Sequence, residues 1–109
     1  MGVLVAVSIP IFTSQLKKAK LATNQANARA AYAAAVSAYL TDDNVTGGSY
    51  ATGTGVFTNG GAVTGNNINI IDTPIATWTV DNQTDFANQT YNNWGVSLNN
   101  GTVETLTYN

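Results

Sequence analysis

From Gly2 to Phe12 the chain is apolar except at Gly2, Ser8 and Pro10, and this run passes without a break into an alanine-rich stretch ending near Leu40. Contiguous exposed apolar surface of that size normally marks a protein or membrane contact, so Val3, Leu4, Val5, Val7, Ile9, Ile11 and Phe12 require a covering surface. Between Thr13 and Leu40 there are ten alanines, and after Pro10 neither glycine nor proline recurs until Gly47, a composition that predicts a long helix. Tyr32, Val36, Tyr39 and Leu40 recur at i, i+4, i+7 and i+8, which places them on one helix face and predicts that this face packs on a sheet. The N-terminal half has no comparable stripe of large residues; its small side chains favour close lateral packing of helices. An ordinary core helix with a ragged start is the simpler alternative, but it leaves Val3 to Phe12 unexplained.

Beyond the helix the pattern changes. Thr41 to Gly65 holds seven of the ten glycines together with Asp, Asn and Thr, and reads as a long loop region pinned by Tyr50 and Val56-Phe57. Asn67 to Ile71 alternates polar and apolar residues before Asp72 and Pro74, and Ala76 to Val80 is a second short strand candidate. Trp94 to Leu98 and Thr102 to Tyr108, separated by Asn99-Asn100-Gly101, form a hairpin pattern in which Asn-Gly supplies the positive φ angles of a tight turn. Val96 and Leu98 share a face, as does Val103 and, allowing a register change, Leu106 with Tyr108, but only imperfectly. Three or four antiparallel strands with one buried face need a partner layer, which the helix supplies. The expected class is α+β: a long N-terminal helix over residues 1–40, apolar over 1–12 and amphipathic over 13–40, forming one domain with a loop region and antiparallel sheet over 41–109.

Composition narrows what such a molecule can do. Charged residues make up 9% of the chain, with a net charge of −2, well below the roughly 25% of ordinary globular chains. All four basic residues, Lys17, Lys18, Lys20 and Arg29, lie in the helix, and all six acids, Asp42, Asp43, Asp72, Asp81, Asp85 and Glu104, follow it. So few cations give too weak an electrostatic footprint for nucleic acid, and none is expected as a partner of the isolated subunit. Cysteine and histidine are absent, which removes disulfides, thiolate and imidazole metal sites and the commonest general base near neutral pH. No lysine follows a glycine in the manner of a phosphate-binding loop. The serines have no histidine to activate them, and nothing places two acids together in a cleft. No enzyme and no cofactor are expected.

The apolar run itself is too short to cross a bilayer, which takes about twenty apolar residues, and it lacks the basic start and small-residue cleavage site of a secretory signal. It reads instead as half of a longer apolar segment. GVLVAVSIPIF (Gly2 to Phe12), followed by TSQLKKAK, resembles the second half of the N-terminal segment of type IV pilins and the related pseudopilins. The match is specific over residues 2 to about 20, general over 21 to 40, and absent beyond. The resemblance implies a helix packed on an antiparallel sheet head and a structural role as a self-assembling filament subunit. It implies that Gly2 matches the family's glycine, that Pro10 is the proline around which the helix can melt on assembly, and that no catalysis is involved. The family's peptidase site, methylated N-terminal residue and nearby acid are expected upstream of Met1, and the cysteine-free head resembles those of Gram-positive bacteria.

On that resemblance the assembly surface comprises Gly2, Val3, Leu4, Val5, Val7, Ile9, Pro10, Ile11, Phe12, Leu16 and Leu21. The implied partners are copies of the chain in a helical filament, the cytoplasmic membrane before assembly, and a pilus assembly machinery; the implied location is an extracellular filament on the cell surface, in motility or adhesion. A heterologous, non-closing contact of this kind generates helical filaments. Lys17, Lys18 and Lys20 could meet lipid headgroups or acids of neighbouring subunits, or simply be solvated. A minor pilin or pseudopilin of a secretion or DNA-uptake system is the nearest alternative, and a membrane-tethered carbohydrate- or surface-binding module is another. For the last, Trp78, Tyr91 and Trp94 would form the binding platform, although core packing is the commoner fate of such aromatics.

Two further patterns have bland readings. Asp81-Asn82-Gln83-Thr84-Asp85 offers oxygen ligands but lacks the glycine and terminal glutamate of an EF-hand loop, and a turn explains it more simply. Asn44, Asn82, Asn88 and Asn100 each begin an Asn-x-Thr glycosylation acceptor pattern, which chance also produces in a chain this rich in Asn and Thr.

Overall fold

The computed structural model describes the backbone of residues 2–109 and the side chains of residues 13–109. One helix, α1, spans Gly2–Thr41 and runs through Pro10 with helical backbone on both sides. At 1.5 Å per residue its 40 residues extend about 60 Å, which accounts for the 62 Å long axis of the molecule. Behind it lie β1 (Gly47–Ala51), β2 (Val56–Asn59), β3 (Asn66–Asn69), a 3-10 turn (Ile75–Thr77), a short α2 (Thr84–Asn88), β4 (Asn93–Asn99) and β5 (Thr102–Tyr108). The five strands form one sheet in the order β2-β1-β4-β5-β3, and every pairing is antiparallel. The fold is α+β.

The hairpin expected from Asn-Gly is present: Asn100 and Gly101 take φ of 52° and 83° between β4 and β5, the left-handed pair that a two-residue turn requires. A register change is present as well, and it aligns the apolar residues of β5 better than their spacing alone allows. Leu98 pairs with Val103 but Ser97 pairs with Thr105, so Glu104 is the extra residue of a bulge. Its carbonyl accepts a hydrogen bond from the Ile70 amide at 2.9 Å. This shift turns Val103, Leu106 and Tyr108 all toward the core, where each is buried.

Two expectations are corrected. Residues 41–65 are not a loop region, because β1 and β2 form a hairpin within them and β1 pairs with β4 in the middle of the sheet. Glycine is used there for close approach: a Cβ on Gly47 would stand 2.5 Å from the Val96 carbonyl oxygen. Nor is Ala76 to Val80 a strand. Pro74 opens a 3-10 turn that the Thr77 hydroxyl closes by donating to the Pro74 carbonyl at 2.6 Å, and Trp78 follows with its indole N–H donating to the Thr73 carbonyl at 3.1 Å.

The helix face that meets the head also differs from expectation. Among the described residues of α1, Leu21, Asn24, Ala28, Ala31 and Ala35 are buried, three and four positions apart, so the docking stripe has helical spacing but is built largely from alanine. Of the four residues expected there, Leu40 is 79% exposed and Tyr32 39% exposed. Val36 and Tyr39 lie at the margin, partly buried against the core. The reason is volume. The head brings its own bulk, Trp94, Phe86 and Leu106, all fully buried, and a close-packed interior has room for only small partners opposite them.

Candidate functional site

The helix leaves the head at Lys20. All seven residues from Thr13 to Ala19 are exposed, the head core begins at Leu21, and α1 continues in the other direction to Gly2. Residues 2–19 therefore form an arm, about 27 Å long at helical rise. Of the residues expected to mediate assembly, Gly2, Val3, Leu4, Val5, Val7, Ile9, Pro10, Ile11 and Phe12 lie outside the residues whose side chains are described. Leu16 is 42% exposed on the arm. Leu21 is a correction: it is 9% exposed and belongs to the head's own core, so it is not free to meet another copy. Among the described residues no helix is long and apolar enough to cross a membrane.

A set of side-chain amides and one lysine anchors α1 to the head just beyond the arm. Asn24 is completely buried, and its Nδ2 donates to the carbonyls of Phe86 and Gln89, both at 2.8 Å, while its Oδ1 accepts from the Tyr91 amide at 3.0 Å. One turn before it, Lys20 Nζ donates to the Asn88 carbonyl at 3.1 Å, and one turn after it Asn27 Nδ2 donates to the Tyr91 carbonyl at 3.4 Å. Gln25 Nε2 reaches the Ile75 carbonyl at 2.9 Å on the adjacent face. These side chains satisfy backbone groups of irregular chain over residues 75–91, which would otherwise be stranded under the helix. Sequence reasoning missed the clamp. Its only signal is the recurrence of Lys20, Asn24 and Asn27 at helical spacing in a chain with very few charges.

Beneath the clamp is an aromatic cluster. Phe86 stacks on Trp78 with ring centroids 4.4 Å apart and meets Tyr108 edge-on at 4.5 Å; Tyr91 meets Tyr108 at 4.8 Å. Trp78, Tyr91 and Trp94 are 3%, 8% and 0% exposed, so they are core and present no platform to a carbohydrate. The Tyr108 hydroxyl donates to Asp85 Oδ2 at 3.2 Å. Burial, reinforced by the Asp85 carboxylate, pushes the Tyr108 phenol up to about 12; burial and then Asp85 also raise that of Tyr91.

The remaining candidates resolve into structure. Asn82 accepts from the Thr79 amide at 2.6 Å and donates to the Thr77 carbonyl at 3.1 Å, so the 81–85 stretch is a turn leading into α2, and no acids among the described residues cluster as metal ligands. With both ends of its amide engaged, Asn82 is the sequence-predicted glycan acceptor that its own fold occupies. A shallow pocket of about 280 Å³ lies beside α1, lined by Arg29, Tyr32, Ile70, Pro74 and Ile75. No protein family matches the chain, and no curated protein or solved structure is significantly similar to it.

Proposed function

We propose that the chain is a structural subunit of a type IV pilus-like filament that assembles through its N-terminal helix. The observation that carries this reading is the division of labour along α1. From Lys20 onward the helix is held to the head through an alanine stripe and a clamp of side-chain donors, and among the described residues the core begins only at Leu21. The arm carries the apolar run Val3 to Phe12, and lipid or other copies of the arm supply the covering surface that such a run requires. A pilin-like organisation accounts for both halves: the arm sits in the membrane before assembly, then exchanges lipid for side chains of its neighbours. Burial of Trp78, Tyr91 and Trp94 takes away the platform on which a tethered carbohydrate-binding reading stood.

Negative-stain electron microscopy of filaments sheared from the source cells, with mass spectrometry of the subunit and its N-terminus, tests the proposal. Thin filaments composed mainly of this chain are the expected result. A chain found in no filament, and monomeric when purified in detergent, would overturn it.

A further inference from the structure

The apolar face Tyr32, Val36, Leu40 is only partly used by the head, which packs against one side of Val36, and it carries a pocket at one end and a knob at the other. Leu40 is the most exposed large apolar side chain among the described residues, at 79%. It is followed by Asp42 and Asp43, both exposed. The pocket beside Tyr32 has apolar walls from Ile70, Pro74 and Ile75, and Arg29 stands at its edge. Arg29 is the only cation after Lys20 in the sequence, and its side chain has no hydrogen-bond or ion-pair partner among the described residues. At about 280 Å³ the pocket falls below the roughly 300–1,000 Å³ of small-molecule sites and suits a protein side chain. The arm of another copy is a poor occupant, because Lys17 and Lys18 would approach Arg29.

We infer that the occupant is Leu40 of a second copy, in an antiparallel pair of α1 helices related by a two-fold axis. Arg29, Val36 and Leu40 follow at intervals of seven and four, which keeps them on one side of the helix. Knob and pocket therefore face the same partner, as an isologous contact requires. The register is self-consistent. Setting Leu40 opposite Tyr32 of the antiparallel copy puts Val36 opposite its own copy on the axis, and Asp43, in the turn just beyond the end of α1, falls at the end of the pair where Arg29 of the copy lies. Exposed Ala33, between them on the same side, lets the helices approach closely. Each contact occurs twice, so the pair gains two apolar insertions and two carboxylate–guanidinium contacts. The arms of such a pair point in opposite directions. It is consequently a contact between free subunits or between neighbouring filaments, distinct from arm-mediated packing within one filament.

The chain has no cysteine, so disulfide trapping reads this register directly. In the full chain, under mild copper–phenanthroline oxidation, Val36→Cys alone should link into a covalent dimer. Leu40→Cys alone should not, because its two copies would stand about 12 Å apart along the axis at helical rise, whereas Leu40→Cys mixed with Tyr32→Cys should. In the Val36→Cys background, Arg29→Glu should cut the linked fraction by about tenfold, and Arg29→Glu with Asp43→Lys should restore it, since the two charges exchange places. No dimer from Val36→Cys, or equal linking of Leu40→Cys with itself, overturns the inference. Filaments without the Val36→Cys link would sink this contact and leave the filament reading standing; the link without filaments would do the reverse.

Discussion

Asn24 is the residue on which attachment of the head to the helix turns. It is fully buried and uses three of its hydrogen-bonding positions on the backbone of residues 86–91. Truncation to Ala leaves two carbonyls and one amide without partners in a dry site. Each stranded group costs roughly 1–3 kcal/mol, so Asn24→Ala should destabilise by about 3 kcal/mol or more in urea denaturation. Asn27→Ala, whose single bond is 3.4 Å long, should cost about 0.5–1 kcal/mol in the same measurement. Equal losses would mean that the clamp acts through packing alone. Tyr108 makes a second prediction at this scale. Its phenol is held at about 12 in the fold, against 10.0 when free. The folded state thus binds the proton more tightly, and the stabilisation is fully present below pH 10 and lost as pH rises from 10 toward 12. The loss should approach on the order of 2–3 kcal/mol by pH 12, with tyrosinate absorbance rising together with unfolding. Asp85→Asn should lower the phenol and move the rise in tyrosinate absorbance to lower pH.

At the scale of elements, the helix–sheet interface places small residues on the helix and large ones on the head. Ala28, Ala31 and Ala35 are completely buried, so added volume there has nowhere to go. Ala31→Leu should cost about 1–3 kcal/mol by overpacking, while Leu40→Ala, at a residue 79% exposed, should change stability by less than about 0.5 kcal/mol. Thermal melts of the two variants distinguish this docking face from one running through Leu40. The same contrast explains how much of the fold is legible in the chain alone. The helix and the Asn100-Gly101 hairpin are legible because each is written in local spacing, whereas the bulge that aligns β5 is only hinted at by the imperfect alternation of Val103, Leu106 and Tyr108. The docking face is not, because apolar size points to Tyr32, Val36 and Leu40 whereas the volume of Trp94 and Phe86, distant in sequence, selects alanine. Strands β1 and β2 are hidden for a related reason. Glycine is normally depleted in strands, but Gly47 and Gly48 are tolerated here where neighbouring backbone leaves no space for a Cβ, and only the assembled sheet reveals that.

For the molecule as a whole, the separation between head and arm would make folding and the proposed assembly independent properties. The described core begins at Leu21, and the clamp begins at Lys20. If the arm is separate from the head, a charge placed in the apolar run, Ile11→Lys, should leave the head's melting temperature unchanged within about 3 °C, the change expected of a surface substitution in a domain this size. In the proposed filament and its membrane precursor the same charge would have to be buried in lipid or among packed arms, at a cost of about 2.5–3.5 kcal/mol near the centre of a membrane. In a filament that cost recurs at every subunit, so Ile11→Lys should abolish filaments in electron micrographs while circular dichroism of the head stays intact. Lys18→Ala, on the exposed stretch of the arm beyond the apolar run, should retain filaments. A head that unfolds with Ile11→Lys would instead show that the arm belongs to the core, and filaments that persist with it would show that the apolar run is not what holds the copies together.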